Sequence, residues 1–156
     1  MSESSREIGM IQKKIPAGLM TAIALVAVAG VVVSSFSLHH HFGTSATSFC
    51  DFGQSFNCDI VNRSKYSTLL GVPVALIGVL GYLIILALAT VYRSKAETPV
   101  FLAIASAAGL VFSLYLTYVE KFLLSTWCVL CLTSLVLIFS VTVLSFTVAS
   151  KSMQRG

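Results

Sequence analysis

The four cysteines of the sequence fall into two pairs with different spacing. Cys128 and Cys131 form the motif Cys-Val-Leu-Cys at the start of an apolar run. Residues three apart share one face of a helix, and the unpaired N–H groups of a first helical turn favour a thiolate. Because the thiolate is the attacking species in disulfide exchange, this motif is typical of a redox centre.

The second pair, Cys50 and Cys58, brackets the polar stretch DFGQSFN within the segment 39–66. Connections longer than ~12–15 residues are uncommon and are usually functional. Thiols on a flexible loop can exchange first with a protein outside the membrane and then with the fixed pair, Cys128 and Cys131. The two pairs together therefore indicate a relay, in which loop thiols exchange with an external protein and pass electrons inward to an apolar acceptor.

Long uncharged stretches must position these cysteines. The chain is 56% hydrophobic and only 10% charged, against ~25% charged residues in a typical soluble protein. Each stretch supplies the ~20 residues that a helix needs to cross a bilayer. We predict an all-α membrane protein, a four-transmembrane-helix bundle with a long external loop between helices 1 and 2. Continuous apolar runs argue against a β-barrel, a soluble domain and a nucleic-acid binder.

The predicted layout is a single transmembrane domain over residues 1–156. It comprises a cytoplasmic tail at 1–16, membrane spans at 17–38, 67–92, 98–119 and 128–150, and an external cysteine loop at 39–66.

The distribution of Lys and Arg predicts the orientation, because positively charged flanks stay in the cytoplasm. Both termini then lie in the cytoplasm, and all four cysteines lie at the outer face, where disulfide chemistry is available. A cleaved signal peptide fits the first span poorly, since its apolar run exceeds the usual ~7–15 residues. One side collects Arg6, Lys13, Lys14, Arg93, Lys95, Lys151 and Arg155, and the other has Arg63, Lys65 and Lys121.

The same residues fit a metal site less well than a redox centre. Zinc sites use close-spaced cysteine or histidine pairs, and the gap between Cys50 and Cys58 fits that pattern badly. The adjacent side chains of His39, His40 and His41 do not converge on one ion without an unusual turn. We predict no metal, with these histidines at the membrane interface.

Several motifs together resemble the vitamin K epoxide reductase family in its prokaryotic form. The resemblance covers roughly residues 17–150. It rests on two cysteine pairs at the family's spacing and in its order, since a lone Cys-x-x-Cys is weak evidence. The matching runs are Cys50-x7-Cys58, CDIVNRSKYSTLLGVP at 58–73, YLTYVE at 115–120 and WCVLC at 127–131.

The resemblance implies roles for individual residues. Cys128 and Cys131 match the active-site pair, with Cys131 facing a quinone. Cys50 and Cys58 match the shuttle pair, with Cys58 exchanging with Cys128. Ser64 matches a family serine near the quinone, where its hydroxyl is placed to donate to a quinone carbonyl, although an ordinary loop serine is the alternative.

The activity implied is that of a quinone-dependent thiol:disulfide oxidoreductase in the prokaryotic cytoplasmic (inner) membrane. Electrons pass from a separate thioredoxin-like or DsbA-like protein to a ubiquinone, menaquinone or vitamin K type quinone in the lipid bilayer. An apolar slot with a few polar groups holds a quinone head, and candidates for its lining are Ser64, Tyr82, Tyr115 and Tyr118. Core packing or an interfacial belt is the alternative role for the tyrosines.

One position departs from the family. Leu135 stands where vertebrate enzymes carry a tyrosine, which puts epoxide reduction and anticoagulant sensitivity in doubt.

Other functions stay open at this point. Structural disulfides in a four-helix membrane protein are one alternative. A quinone-independent thiol–disulfide transporter is another, and it requires a cysteine within reach of the cytoplasm. A DsbB-type oxidase would carry the same chemistry, but its two cysteine pairs occur in the opposite order along the chain.

Overall fold

A computed structural model describes residues 17–43, 56–95 and 97–154, without the side chain of Asp59. Four longer helices and one short helix form this part of the chain. Their bounds are α1 Ala17–Phe42, α2 Cys58–Asn62, α3 Val74–Thr90, α4 Thr98–Val119 and α5 Val129–Gln154. A 3-10 turn at Lys65–Ser67 and two short strands, β1 Thr68–Leu69 and β2 Val72–Pro73, precede α3, and a π-helical turn at Glu120–Leu124 extends α4.

Length and composition make three of these helices able to cross a membrane: α1, α4 with its π-helical extension, and α5. The fourth apolar helix, α3, has 17 residues and is about 26 Å long at ~1.5 Å per residue, near the lower limit for a span. Large apolar side chains such as Leu25, Ile104 and Val136 face outward. The protein is therefore a mostly helical, membrane-type bundle.

The bounds of three helices, α1, α3 and α5, differ from the predicted spans, and α3 ends at Thr90 instead of residue 92. Helix α1 continues beyond residue 38 to Phe42, so that His39, His40 and His41 lie in its last turn and not in a loop. Helix α5 begins at Val129, one residue after Cys128, and continues to Gln154. The described parts of the predicted loop 39–66 thus include the end of α1 and the whole of α2.

The largest difference lies at 67–73, which we expected to be helical. This segment forms an antiparallel hairpin in which Thr68 pairs with Pro73 and Leu69 with Val72. The turn places Leu70 at φ 53° and Gly71 at φ 84°, and Pro73 cannot donate a backbone hydrogen bond. Because an uncharged sequence fits a hairpin as well as a helix, composition alone did not separate the two.

The helices pack through small residues at their contacts. Helix α1 lies against α3 and α5, and α4 lies against α5. The ring of Tyr82 on α3 fills the space beside Gly30 on α1, where an added Cβ would lie 2.3 Å from ring carbons. The Tyr82 hydroxyl donates to the carbonyl oxygen of Ser134 on α5 at 2.9 Å. One buried tyrosine thus joins three helices.

We expect Gly30→Ala to lower the free energy of unfolding by ~1–3 kcal/mol, the usual cost of overpacking. Thermal unfolding of the purified protein in detergent measures the change. Gly81→Ala is the matched control, because a Cβ there meets no described atom within 4 Å and alanine favours a helix by ~0.5–1 kcal/mol. Equal melting of wild type and Gly30→Ala would contradict this packing.

Candidate functional site

A short backbone pairing brings the two cysteine-bearing segments together. Phe56 and Trp127 form an isolated parallel bridge, and the Asn57 N–H donates to the Trp127 carbonyl oxygen at 3.2 Å. The Asn57 side-chain oxygen accepts the Ile60 N–H at 3.1 Å, which caps the start of α2. These bonds place Cys58 and Cys128, which directly follow the paired residues, against each other.

The three described cysteines form one cluster. Cys58 and Cys128 are buried in the same apolar cluster as Val61, and Cys131 packs against it. The Cys128 thiol is in hydrogen-bonding contact with the thiols of both Cys58 and Cys131. All three carry thiols in this structure. Cys50, the fourth cysteine of the predicted relay, lies outside the described residues.

Cys128 lies just before α5, where opposing effects act on its thiol. The Cys131 N–H donates to Cys128 Sγ at 3.4 Å, a contact that favours the thiolate. The hydrogen bond with the Cys131 thiol is the largest effect and raises the pKa of Cys128, the Cys58 thiol lowers it, and burial raises it further, so that the net shift is upward. The neighbouring thiol and burial thus act against the preference for a thiolate that the start of a helix provides.

Glu120 is a member of the cluster that the sequence analysis did not single out. Its side chain is 1% exposed, and Oε2 accepts the Cys128 N–H at 3.1 Å. A carboxylate oxygen and the sulfurs of Cys128 and Cys131 all lie within 4.8 Å of one another. One signal was available in the sequence, because Glu120 is its only acidic residue after Glu97 and acidic residues at membrane spans are commonly functional.

A cavity of about 420 Å³ opens beside this cluster between the helices. Its wall includes Cys131 and Glu120, together with apolar side chains such as Ile77, Phe112 and Ile138. Of the described cysteines, Cys131 lines the cavity, whereas Cys58 and Cys128 do not. Ligand pockets are typically ~300–1,000 Å³ and mostly apolar, so the cavity is large enough for a small ring system next to Cys131.

The predicted lining residues divide into two groups. Ser64 and Tyr82 line the cavity. Tyr115 and Tyr118 are 52% and 56% exposed and do not line the described cavity. The Ser64 hydroxyl donates to the Val61 carbonyl oxygen at 2.9 Å, so its proton is already engaged.

Asn62 is a second cavity residue that the sequence analysis missed. It is 6% exposed, and its Oδ1 accepts the Ser37 hydroxyl at 2.9 Å. Its Nδ2 has no hydrogen-bond partner among the described residues. A buried donor without a partner is costly, and here it lies on the wall of an apolar cavity.

Two contacts tie α2 to the end of α1. His41 Nδ1 meets the Asn62 carbonyl oxygen, and the Arg63 guanidinium donates to the Gly43 carbonyl oxygen. The histidine run thus includes a residue that helps to hold α2 over the bundle.

A comparison with protein-family models matches residues 21–146 to the vitamin K epoxide reductase family. The match covers most of the chain, so the protein belongs to this family, and the resemblance inferred from the cysteine motifs is confirmed. Membership makes the protein an oxidoreductase and, with its apolar helices, indicates a redox function at a membrane.

Proposed function

We propose that the protein passes electrons from a reduced thioredoxin-like protein outside the membrane to a quinone, and so supports disulfide bond formation. One observation carries the proposal: Cys58, Cys128 and Cys131 are in sequential contact, and of these three only Cys131 lines the cavity. That order matches a chain of exchanges leading from the loop to an apolar pocket.

Each exchange forms one disulfide bond and breaks another. The partner's two thiols reduce a Cys50–Cys58 disulfide, and the partner leaves oxidised. The Cys58 thiolate then attacks Cys128 of a Cys128–Cys131 disulfide, which forms a Cys58–Cys128 bond and releases Cys131 as a thiolate. Cys50 attacks Cys58, which restores the loop disulfide and frees Cys128. The role of Cys50 rests on the family motif alone.

A quinone supplies the acceptor for two electrons and two protons when it is bound. The cavity fits such a ring by volume and by its apolar wall. The unpartnered Asn62 Nδ2 supplies a donor for a quinone carbonyl, and Ser64 Oγ on the same wall, whose proton goes to Val61, supplies an acceptor for a quinol hydroxyl. The head group of a ubiquinone, a menaquinone or a vitamin K type quinone matches this chemistry.

The proposed setting is the prokaryotic cytoplasmic membrane, with both termini in the cytoplasm and the cysteines at the outer face. The excess of Lys and Arg on the side of the termini supports this orientation. A thioredoxin-like or DsbA-like partner then docks at the predicted external loop that carries Cys50 and Cys58.

Steady-state turnover tests the proposal. Purified protein, a reduced thioredoxin-like protein and a short-chain quinone should together show loss of quinone absorbance. Cys131→Ala should abolish this loss, because the last thiol before the quinone is missing. Ser140→Ala, on the same helix with its hydroxyl bonded to Val136 of that helix, should turn over like wild type. Turnover by Cys131→Ala, or none by wild type, would contradict the proposal.

The Asn62 amide gives a second test. Asn62→Leu removes the donor from the cavity and should raise the KM for the quinone by about three- to tenfold, the worth of a hydrogen bond of ~0.5–1.5 kcal/mol. Ser37→Ala is the control, because it deletes the Ser37–Asn62 bond and leaves Nδ2 in place. An equal rise in KM for both variants would assign Asn62 a purely structural role.

A further inference from the structure

Glu120 is held by a turn that encloses its carboxylate. The π-helical turn at Glu120–Leu124 ends at Ser125, which adopts a left-handed conformation with φ 50°. The backbone N–H groups of Ser125 and Thr126 both donate to the Glu120 carbonyl oxygen. The chain therefore folds back over Glu120 before it reaches Cys128, and the carboxylate is enclosed beside the thiols.

The two carboxylate oxygens of Glu120 have different surroundings. Oε2 accepts the Cys128 N–H at 3.1 Å. Oε1 is buried and accepts no N–H or O–H among the described residues, and the carboxyl group is in hydrogen-bonding contact with the Cys131 thiol. A glutamine could accept one N–H equally well through its own side-chain oxygen, and burying a carboxyl group costs more than burying an amide. The anchoring bond alone thus gives no reason for an acid at this position.

The surroundings supply such a reason, because Glu120 borders both the thiols and the cavity. It is within 4.8 Å of the sulfurs of Cys128 and Cys131 and lines the cavity together with Cys131. A reaction that takes two thiols to a disulfide and a quinone to a quinol must move two protons from the first site to the second. Glu120 is a carboxyl group on that route.

We propose that Glu120 is the proton-exchange residue of the site, accepting the proton of the Cys131 thiol and returning it to a quinone oxygen. The inference rests on the proposed function. Oε2 anchors the side chain through the Cys128 N–H, and the contact of the carboxyl group with the Cys131 thiol is the one through which the proton passes.

The step balances within the site. Glu120 as a carboxylate takes the Cys131 proton and leaves a Cys131 thiolate. The Cys128 sulfur bonds to the Cys131 sulfur, and the electron pair of the dithiol passes to the quinone. One quinol proton comes from Glu120 and the other from the Cys128 thiol. Glu120 ends as the carboxylate with which it began, and no other oxidant or base is consumed.

The effect of Glu120 on the rate must be distinguished from the effects of other titratable groups near the cavity. Among the described residues, Lys121, the residue that follows Glu120, is exposed with its ammonium over the Phe122 ring. A fall in the rate of quinone reduction at acidic pH that is present in wild type and absent from Glu120→Gln is due to Glu120 and to none of the other groups. The remaining groups are Cys58, Cys128 and Cys131 of the thiol cluster, with His41, Tyr66 and Tyr82 on the cavity wall.

Single-turnover kinetics with the fully reduced full-length protein and a short-chain quinone tests the proposal across a pH series. We expect Glu120→Gln to slow quinone reduction by ~10²-fold or more, as for loss of a general base. Below the Glu120 pKa the wild-type rate should fall, since the protonated carboxyl cannot accept a proton. The rate of the variant should not show this fall at acidic pH. It should approach the wild-type rate only at alkaline pH, where the thiols ionise unaided.

Glu97→Gln is the matched control, because Glu97 is an exposed acid at the opposite end of α4, and its rate should equal that of wild type. A Glu120→Gln variant with the wild-type rate and pH profile overturns the proposal while the proposed function stands. No quinone reduction by wild type removes the proposed function and the inference with it. If Glu120→Gln does not fold, a wild-type rate that stays flat at acidic pH overturns the proposal.

Discussion

The parallel pairing of Phe56 with Trp127 determines how the two halves of the thiol cluster meet. Trp127 directly precedes Cys128, and Asn57, whose N–H donates to the Trp127 carbonyl oxygen, directly precedes Cys58, so that a main-chain bond sets the position of Cys58 relative to Cys128. Main-chain bonds depend little on side-chain identity. The alignment of the sulfurs consequently does not rely on contacts made by the thiols themselves, which must break and re-form during exchange.

The cavity and the thiol cluster differ in character. The cluster around Cys58 and Cys128 is closed and apolar, whereas Cys131 borders an open volume. Within this apolar setting Asn62 Nδ2 has no partner among the described residues, and the buried carboxyl group of Glu120 lies against the Cys131 thiol. A buried donor without a partner costs ~1–3 kcal/mol, and burying a carboxyl group costs more than burying an amide. Both groups lower stability, and both lie beside a ligand-sized cavity. This region is therefore adapted for binding and not for stability.

The sequence predicted the helices and the cysteine chemistry because both depend on local pattern. Uncharged runs longer than a bilayer crossing identify membrane-type helices, and the spacing of Cys128 and Cys131 identifies a redox pair. The hairpin at 68–73 escaped prediction because hydropathy alone does not distinguish its apolar residues from helix. Glu120 and Asn62 escaped it because their importance depends on burial and on which atoms lack partners, and the Phe56–Trp127 pairing joins residues far apart in the chain.

Disulfide trapping between Cys58 and Cys128 tests the central claim most directly. With Cys50 and Cys131 both replaced by alanine, mild oxidation of the membrane-embedded protein should convert almost all of it to the Cys58–Cys128 form, measured by alkylation and peptide mass spectrometry. The companion variant, which lacks Cys50 and Cys128, should form little Cys58–Cys131 disulfide under the same conditions. Equal yields in both variants, or thiols that remain reduced in the first, would contradict the docking of the loop on Cys128.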